Sequence, residues 1–266
     1  MRPKTSKKLI INNSNARGVK NFDKLEKEVR DTFVQLTEKN KTLMANTLSG
    51  VAQNQYYDGL YEAYKGVGMG QSFDLLTKST IQALITNPVM GETWITRNKA
   101  NANLLNNQIN QELRNGVIQG LSNNEIATRV AKKMGSGYEV AKRLVDTEIA
   151  NTLNQSALLS YENSGIVEQF IFIATLDNRT SDICTDLDGQ VFDLKDAVTG
   201  INVPPMHVRC RSTTSAYFDY SAKGLTRMAR DLSGNNFVVP GNMSVKDFKS
   251  IYVEKTITRK QWDRRN

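Results

Sequence analysis

Histidine occurs once in this 266-residue chain, as His207. That scarcity excludes multi-histidine metal catalysis and a two-histidine phosphoryl-transfer site within one chain. Cysteine occurs only at Cys184 and Cys210, too few for a disulfide framework, and the expected setting is a reducing compartment. No apolar run reaches the length of a membrane span. The opening MRPKTSKKLIINNSN is basic, but Leu9–Ile11 is too short an apolar core for a secretory signal. No internal repeat is present.

What the chain does have is positive charge: 35 Lys and Arg against 27 Asp and Glu, a formal net of +8. Such a balance speaks to association with an acidic partner, nucleic acid first, and not to fold. The charge is concentrated at the two ends. Arg2, Lys4, Lys7 and Lys8 stand at the front without an acidic neighbour, and the Asn/Ser cluster at Asn12–Asn15 breaks regular structure, so residues 1–21 are expected to be a flexible basic arm. At the back, Arg259, Lys260, Arg264 and Arg265 face Asp263 alone. Lys4, Lys7, Lys8 and these four are the expected contacts to double-stranded DNA, made without base readout.

Residues 22–165 read as a helical domain. Leu25, Val29, Phe33, Leu36 and Leu43, then Ala52, Tyr56, Leu60 and Tyr64, recur at helical steps up to Lys65. Gly66, Gly68 and Gly70 follow; with no preceding strand and no Lys-Ser/Thr after them, they form a loop and not a nucleotide cradle. Phe73–Ile85 is a second helix, stopped at Asn87-Pro88. A third carries Leu105, Ile109, Leu113 and Val117 and ends at Gly120. Ser122 and Glu125 form a capping box for a short helix ending at Gly135-Ser136-Gly137. The last helix, Tyr138–Asn163, lines one face with Ala141, Val145, Ile149, Leu153, Ala157 and Tyr161. Glu148 sits at the edge of that stripe, as a solvated boundary residue or in an ion pair with an arginine of the next domain.

The pattern then changes. Val167–Thr175 is dense in β-branched and aromatic residues and reads as a strand. Thr180 or Ser181 caps a short helix over 182–187, Asp188-Gly189 makes a tight turn, and Gln190–Phe192 and Arg211–Phe218 are further strands. Residues 166–220 are thus a small α+β unit, and the fold class is α+β, helical first. Residues 221–266 read as a basic tail, with Ser244 capping a helix through Phe248 and Ile251.

The rare residues fall together between Asp177 and Arg211: both cysteines, the histidine, Pro204-Pro205 and Leu187-Asp188-Gly189. A cysteine–histidine hydrolase would use His207 with Cys184 or Cys210, but no nucleophile motif surrounds either sulfur. A zinc site would use Cys184, His207 and Cys210 and needs a fourth ligand from Asp177, Asp182 or Asp186. The bland reading makes the cysteines small buried hydrophobes and gives His207 a loop hydrogen bond. Gly189 supplies a turn conformation that side chains disfavour, and Asp177, Arg179 and Arg211 are placed to fasten the two ends of the stretch by charge-assisted bonds. The remaining carboxylates are spread through turns, so no acid–base pair is formed. The expectation is a protein without a catalytic site and without a cofactor.

The order D-x-R-T-S-x-x-C-x-x-L-D-G-x-x-F, a gap, then P-P-x-H-x-x-C-R resembles the phage head morphogenesis signature of Mu F-like minor head proteins. The likeness runs from Trp94 and Arg97 through Gly120, Ser122, Glu125 and Arg143-Leu144…Thr147-Glu148 to Phe218. It implies a minor head, or minor capsid, protein of a tailed phage, assembled in the host cytoplasm and held in the virion's capsid interior. It implies the portal protein as partner, with scaffold or major capsid protein beside it, and a part in head assembly and genome delivery. Ser212 departs from the Cys-Arg-Cys ending of many relatives, which removes the easiest fourth zinc ligand. Some relatives carry a C-terminal toxin domain; the residues after Phe218 are too few for one here.

Overall fold

The computed structural model describes residues 13–67, 75–218 and 225–265. The fold is α+β, with long helices first and small antiparallel sheets after them. The helices are α1 (Asn13–Val67), α2 (Lys78–Ile85), α3 (Trp94–Ile118) and α4 (Asn123–Ser164). β1 (Gln169–Ile173), α5 (Asp182–Leu187), β2 (Val191–Asp193) and β3 (Thr213–Tyr217) follow. The chain closes with β4 (Thr226–Arg230), β5 (Asn236–Pro240), α6 (Val245–Phe248) and α7 (Arg259–Asp263).

Several expectations need correcting. Residues 1–12 of the expected arm lie outside the described residues, and 13–21 are the first turns of α1. Asn and Ser are disfavoured in helix interiors but welcome at helix starts, which is where this cluster sits. The helix expected from Phe73 is described from Lys78, capped by Thr77, whose hydroxyl accepts from Thr80 N. Gly135-Ser136-Gly137 does not end a helix: α4 runs straight through it.

The chain divides into two compact units, Met1–Thr42 with Asn98–Val140, and Leu43–Arg97 with Ala141–Asn266. The boundary therefore does not fall at 165, where periodicity changes, because compactness follows packing and not the type of element. Within the first unit α3 and α4 lie antiparallel against each other through glycines. A Cβ on Gly116 would lie 2.5 Å from the Ile126 side chain, and one on Gly137 would lie 2.5 Å from Leu105. This close approach explains why α4 tolerates glycine. Glu26 is joined to Arg114 by two hydrogen bonds, at 2.9 and 2.6 Å.

In the second unit, Leu48, Ala52, Ile81, Ile85, Trp94 and Leu144 form one apolar cluster. The sheet order is β2-β1-β3, all antiparallel. Phe170 and Phe172 share the buried face of β1. Phe170 packs with Ala157, Leu158 and Tyr161 of α4, and Phe172 joins a core with Cys184, Cys210, Val239, Phe248 and Trp262. Residues 225–265 are thus part of the fold and not a loose tail. β4 and β5 pair as a hairpin, Ser244 and Asp247 close a capping box on α6, and Trp262 is buried. Short strands and single-turn helices are too brief to show periodicity, so the sequence conceals this segment.

The second half of α4 is buried most of the way round, and much of what it buries is polar: Thr147, Glu148, Asn151, Thr152, Asn154, Ser156 and Ser160. The apolar stripe expected there is not the buried face at its start, since Val145 is exposed. Three of these polar side chains instead hold distant backbone. Asn151 donates to Asn87 O at 3.0 Å, Asn154 accepts from Thr214 N at 3.2 Å, and Thr147 accepts from Arg209 N at 3.0 Å.

Candidate functional site

Three backbone devices bring the rare residues together. Ser181 caps α5, its hydroxyl accepting from Cys184 N, and so sets the turn that aims Cys184 inward. Cys210 N donates to His207 O at 3.1 Å, which closes the loop carrying the other two side chains. Arg209 between them holds the left-handed conformation at φ 59°, and its N–H is tied to Thr147 of α4. A non-glycine residue in that region costs about 1–3 kcal/mol and persists where its surroundings fix it. Pro204 and Pro205, joined by a cis bond, enter the same loop from a buried stretch.

The result is a cluster. Cys184 Sγ lies 3.5 Å from His207 Nε2 and 3.7 Å from Cys210 Sγ. Ser181 Oγ lies 2.9 Å from the same Nε2, while Nδ1 lies 2.9 Å from Val208 O. A carbonyl only accepts, so Nδ1 carries the proton and Nε2 presents its lone pair to the hydroxyl and the sulfur. Both cysteines are 2% exposed. Their thiols interact, and the Ser212 hydroxyl bonds to both. The Cys184 S–H held toward Cys210 brings the Cys210 thiol down, against burial and with help from backbone bonds at Met206 and Ser212. Cys184 is pushed up by the same bond and by burial.

An ion-paired carboxylate stands beside the cluster. Arg211 grips Asp177 with both Nη atoms, Arg179 N and the Thr180 hydroxyl donate to Asp177 Oδ1 at 2.9 and 3.1 Å, and Arg179 Nη2 lies 3.8 Å away. Burial alone would raise the Asp177 carboxyl; the bonds from Arg211, Arg179 and Thr180 outweigh it and hold it at about 2. The fastening expected of Asp177, Arg179 and Arg211 is formed.

Asp188 does more than make a turn beside Gly189. Its carboxylate accepts from Arg227 at 2.9 and 3.2 Å, from Ala174 N at 2.9 Å and from Val245 N at 2.9 Å. It thereby joins β1, β4 and the start of α6. Leu187 packs against the neighbouring core. Glu148 pairs with Arg97 and not with an arginine of a following domain. Burial pushes its carboxyl up to about 7, against the pull of the Arg97 guanidinium.

Some expected site members stay apart. No carboxylate joins Cys184, His207 and Cys210 among the described residues. Asp177 is taken by Arg211, and Asp186 pairs with Lys246 at 3.0 Å. At the back end, Arg259 bonds Asp263 at 2.7 Å and lies over Trp262, leaving Lys260, Arg264 and Arg265 exposed. Lys4, Lys7 and Lys8 lie outside the described residues. Sequence reasoning missed Ser181 and Ser212 as neighbours of the sulfurs, and Thr147 as the anchor of Arg209. Ser181 had a signal as an expected helix cap; Thr147 and Ser212 met their partners only through the fold.

The family described as Phage Mu protein F like protein matches residues 107–215. This part of the chain is Mu F-like. The match takes in the second half of α3, all of α4 and the whole Asp177–Arg211 stretch, and it supports a phage head morphogenesis protein. Among curated proteins, the NAD(+)–arginine ADP-ribosyltransferase EFV of Enterococcus faecalis is 24% identical over 234 residues. That alignment covers 80% of this chain and 48% of the relative, so the chain spans about half the relative's length. No solved structure matches the chain. No helix among the described residues is long and apolar enough to cross a membrane.

Proposed function

We propose that the chain is a non-enzymatic minor head protein of a tailed phage, a component of the virion, acting in head assembly at the portal on the capsid interior. The carrying observation is the Mu F-like match over 107–215. The architecture of the motif agrees with a structural role: Asp177, Asp188 and Arg211 spend their hydrogen-bonding capacity on fastening the fold. The formal charge of +8 suits a protein facing packaged DNA, and contact with double-stranded DNA would be independent of sequence. Scaffold or major capsid protein is a second partner class for the same basic surface.

The competing hydrolase reading would use Cys184, His207 and Cys210. A nucleophile must reach its substrate, and both sulfurs are 2% exposed beside a cavity of only about 40 Å³. The transferase name belongs to a relative of which this chain covers 48%, and it is not carried over.

The deciding experiment is chemical cross-linking of intact procapsids followed by mass spectrometry. Cross-links between this chain and the portal are expected. Procapsids that hold portal but not this chain would overturn the reading.

A further inference from the structure

We propose that Cys184, His207 and Cys210 hold a zinc ion, with water completing the tetrahedron. The proposal stands apart from the head-assembly reading and does not depend on it. Its first support is metric. With Zn–S about 2.3 Å and Zn–N about 2.0–2.1 Å, a tetrahedron sets sulfur–sulfur edges of about 3.8 Å and sulfur–nitrogen edges of about 3.6 Å. The observed Cys184–Cys210 and Cys184–His207 separations are 3.7 and 3.5 Å. All three ligand atoms lie within 4.8 Å of one another.

The second support is orientation. A zinc-bound imidazole donates its other N–H to a carbonyl or carboxylate, which fixes the tautomer and aims the lone pair at the metal. His207 Nδ1 meets Val208 O at 2.9 Å, and Nε2 faces the Cys184 sulfur. The donor set, two thiols and one imidazole, suits zinc over the hard cations that prefer oxygen.

The third support is the open corner. The cavity beside the cluster, about 40 Å³, is lined by Ser181, Cys184, His207 and Ser212 among others. On this measure a cavity needs only about 10–15 Å³ to hold a water, so one fits, with the hydroxyls of Ser181 and Ser212 as its hydrogen-bonding neighbours. On binding, Zn²⁺ displaces one proton from each thiol to solvent, and the centre formed is neutral. Neutrality matters here, because Arg179 and Arg211 stand on the same wall and would oppose a centre of net positive charge. The ion would tie α5 to the Pro204–Arg211 loop, adding to the Asp177–Arg211 pair beside it.

The test uses the full-length protein, expressed and purified in reductant without chelator. Plasma mass spectrometry should find one zinc per chain, falling to background in the double variant C184S/C210S. Because that variant can lose its fold, wild-type protein stripped of metal is also titrated with Co²⁺. A thiolate-to-cobalt charge-transfer band with intense tetrahedral d–d bands, saturating at one equivalent, is the expected result. A pale octahedral spectrum, or zinc content no higher than that of the double variant, overturns the proposal. So does a Cys184–Cys210 disulfide in protein kept under reductant, since the sulfurs would then serve each other and not a metal.

Discussion

Asp177 carries a pH signature. Its carboxyl is held at about 2 in the fold against an ordinary 3.8, so the ionised form is what the fold binds. The stabilisation is complete above 3.8 and is lost as pH falls toward 2. D177N should lower stability at neutral pH by about 1.5–3 kcal/mol, the range for hydrogen bonds to a charged group. Urea midpoints from pH 5 down to 2 should show the gap between wild type and D177N closing. Glu148 has the opposite sign. Its carboxyl is raised from 4.5 to about 7, so the fold prefers it neutral, and stability falls as pH climbs from 4.5 to 7. E148Q removes the titrating proton and should flatten that slope; an unchanged slope in the same urea series would refute the assignment. At Asp188, D188N strips the counter-charge from Arg227, whose side chain is 15% exposed. Removing one partner of such a pair costs about 3–5 kcal/mol, which chemical denaturation should register.

At the scale of elements, α4 shows what the sequence made legible and what it hid. The capping box at Ser122 and Glu125, the cap at Ser181, β1 and the Asp177–Arg211 fastening were readable, because each rests on neighbours in sequence or on a charge pair with few alternatives. The continuity of α4 through Gly135–Gly137 was not, since a local rule reads paired glycines as a stop, while the reason to continue is the Leu105 side chain of another helix. The burial of Thr147 and Asn154 was hidden likewise: their partners are backbone groups of a distant loop and of β3, and backbone carries no letter. The two glycines should therefore respond differently. A Cβ at Gly135 meets nothing within 4 Å, so Gly135→Ala should stabilise by about 0.5–1 kcal/mol through helix propensity. Gly137→Val should lose about 1–3 kcal/mol by overpacking against Leu105. Thermal unfolding of the two variants distinguishes this from a general intolerance of that turn.

For the whole molecule, the charge prediction now concerns particular residues. Deleting 255–266 would remove the buried Trp262 and confound a binding assay with unfolding, so substitution is the cleaner probe. Replacing Lys260, Arg264 and Arg265 with glutamine should weaken duplex DNA binding, itself expected near 10⁻⁴–10⁻⁶ M, and make the log–log salt slope shallower. Filter binding across a salt series measures both, and an affinity indifferent to salt would assign the basic residues to a protein partner. A different consequence follows from Asp188, the carboxylate that gathers donors from Ala174, Arg227 and Val245. A ribosome releases these donors in order, and the last of them belongs to the start of α6. The core around Phe172, unlike the one around Phe170, is therefore complete only once residues 225–265, with Val239, Phe248 and Trp262, have been made.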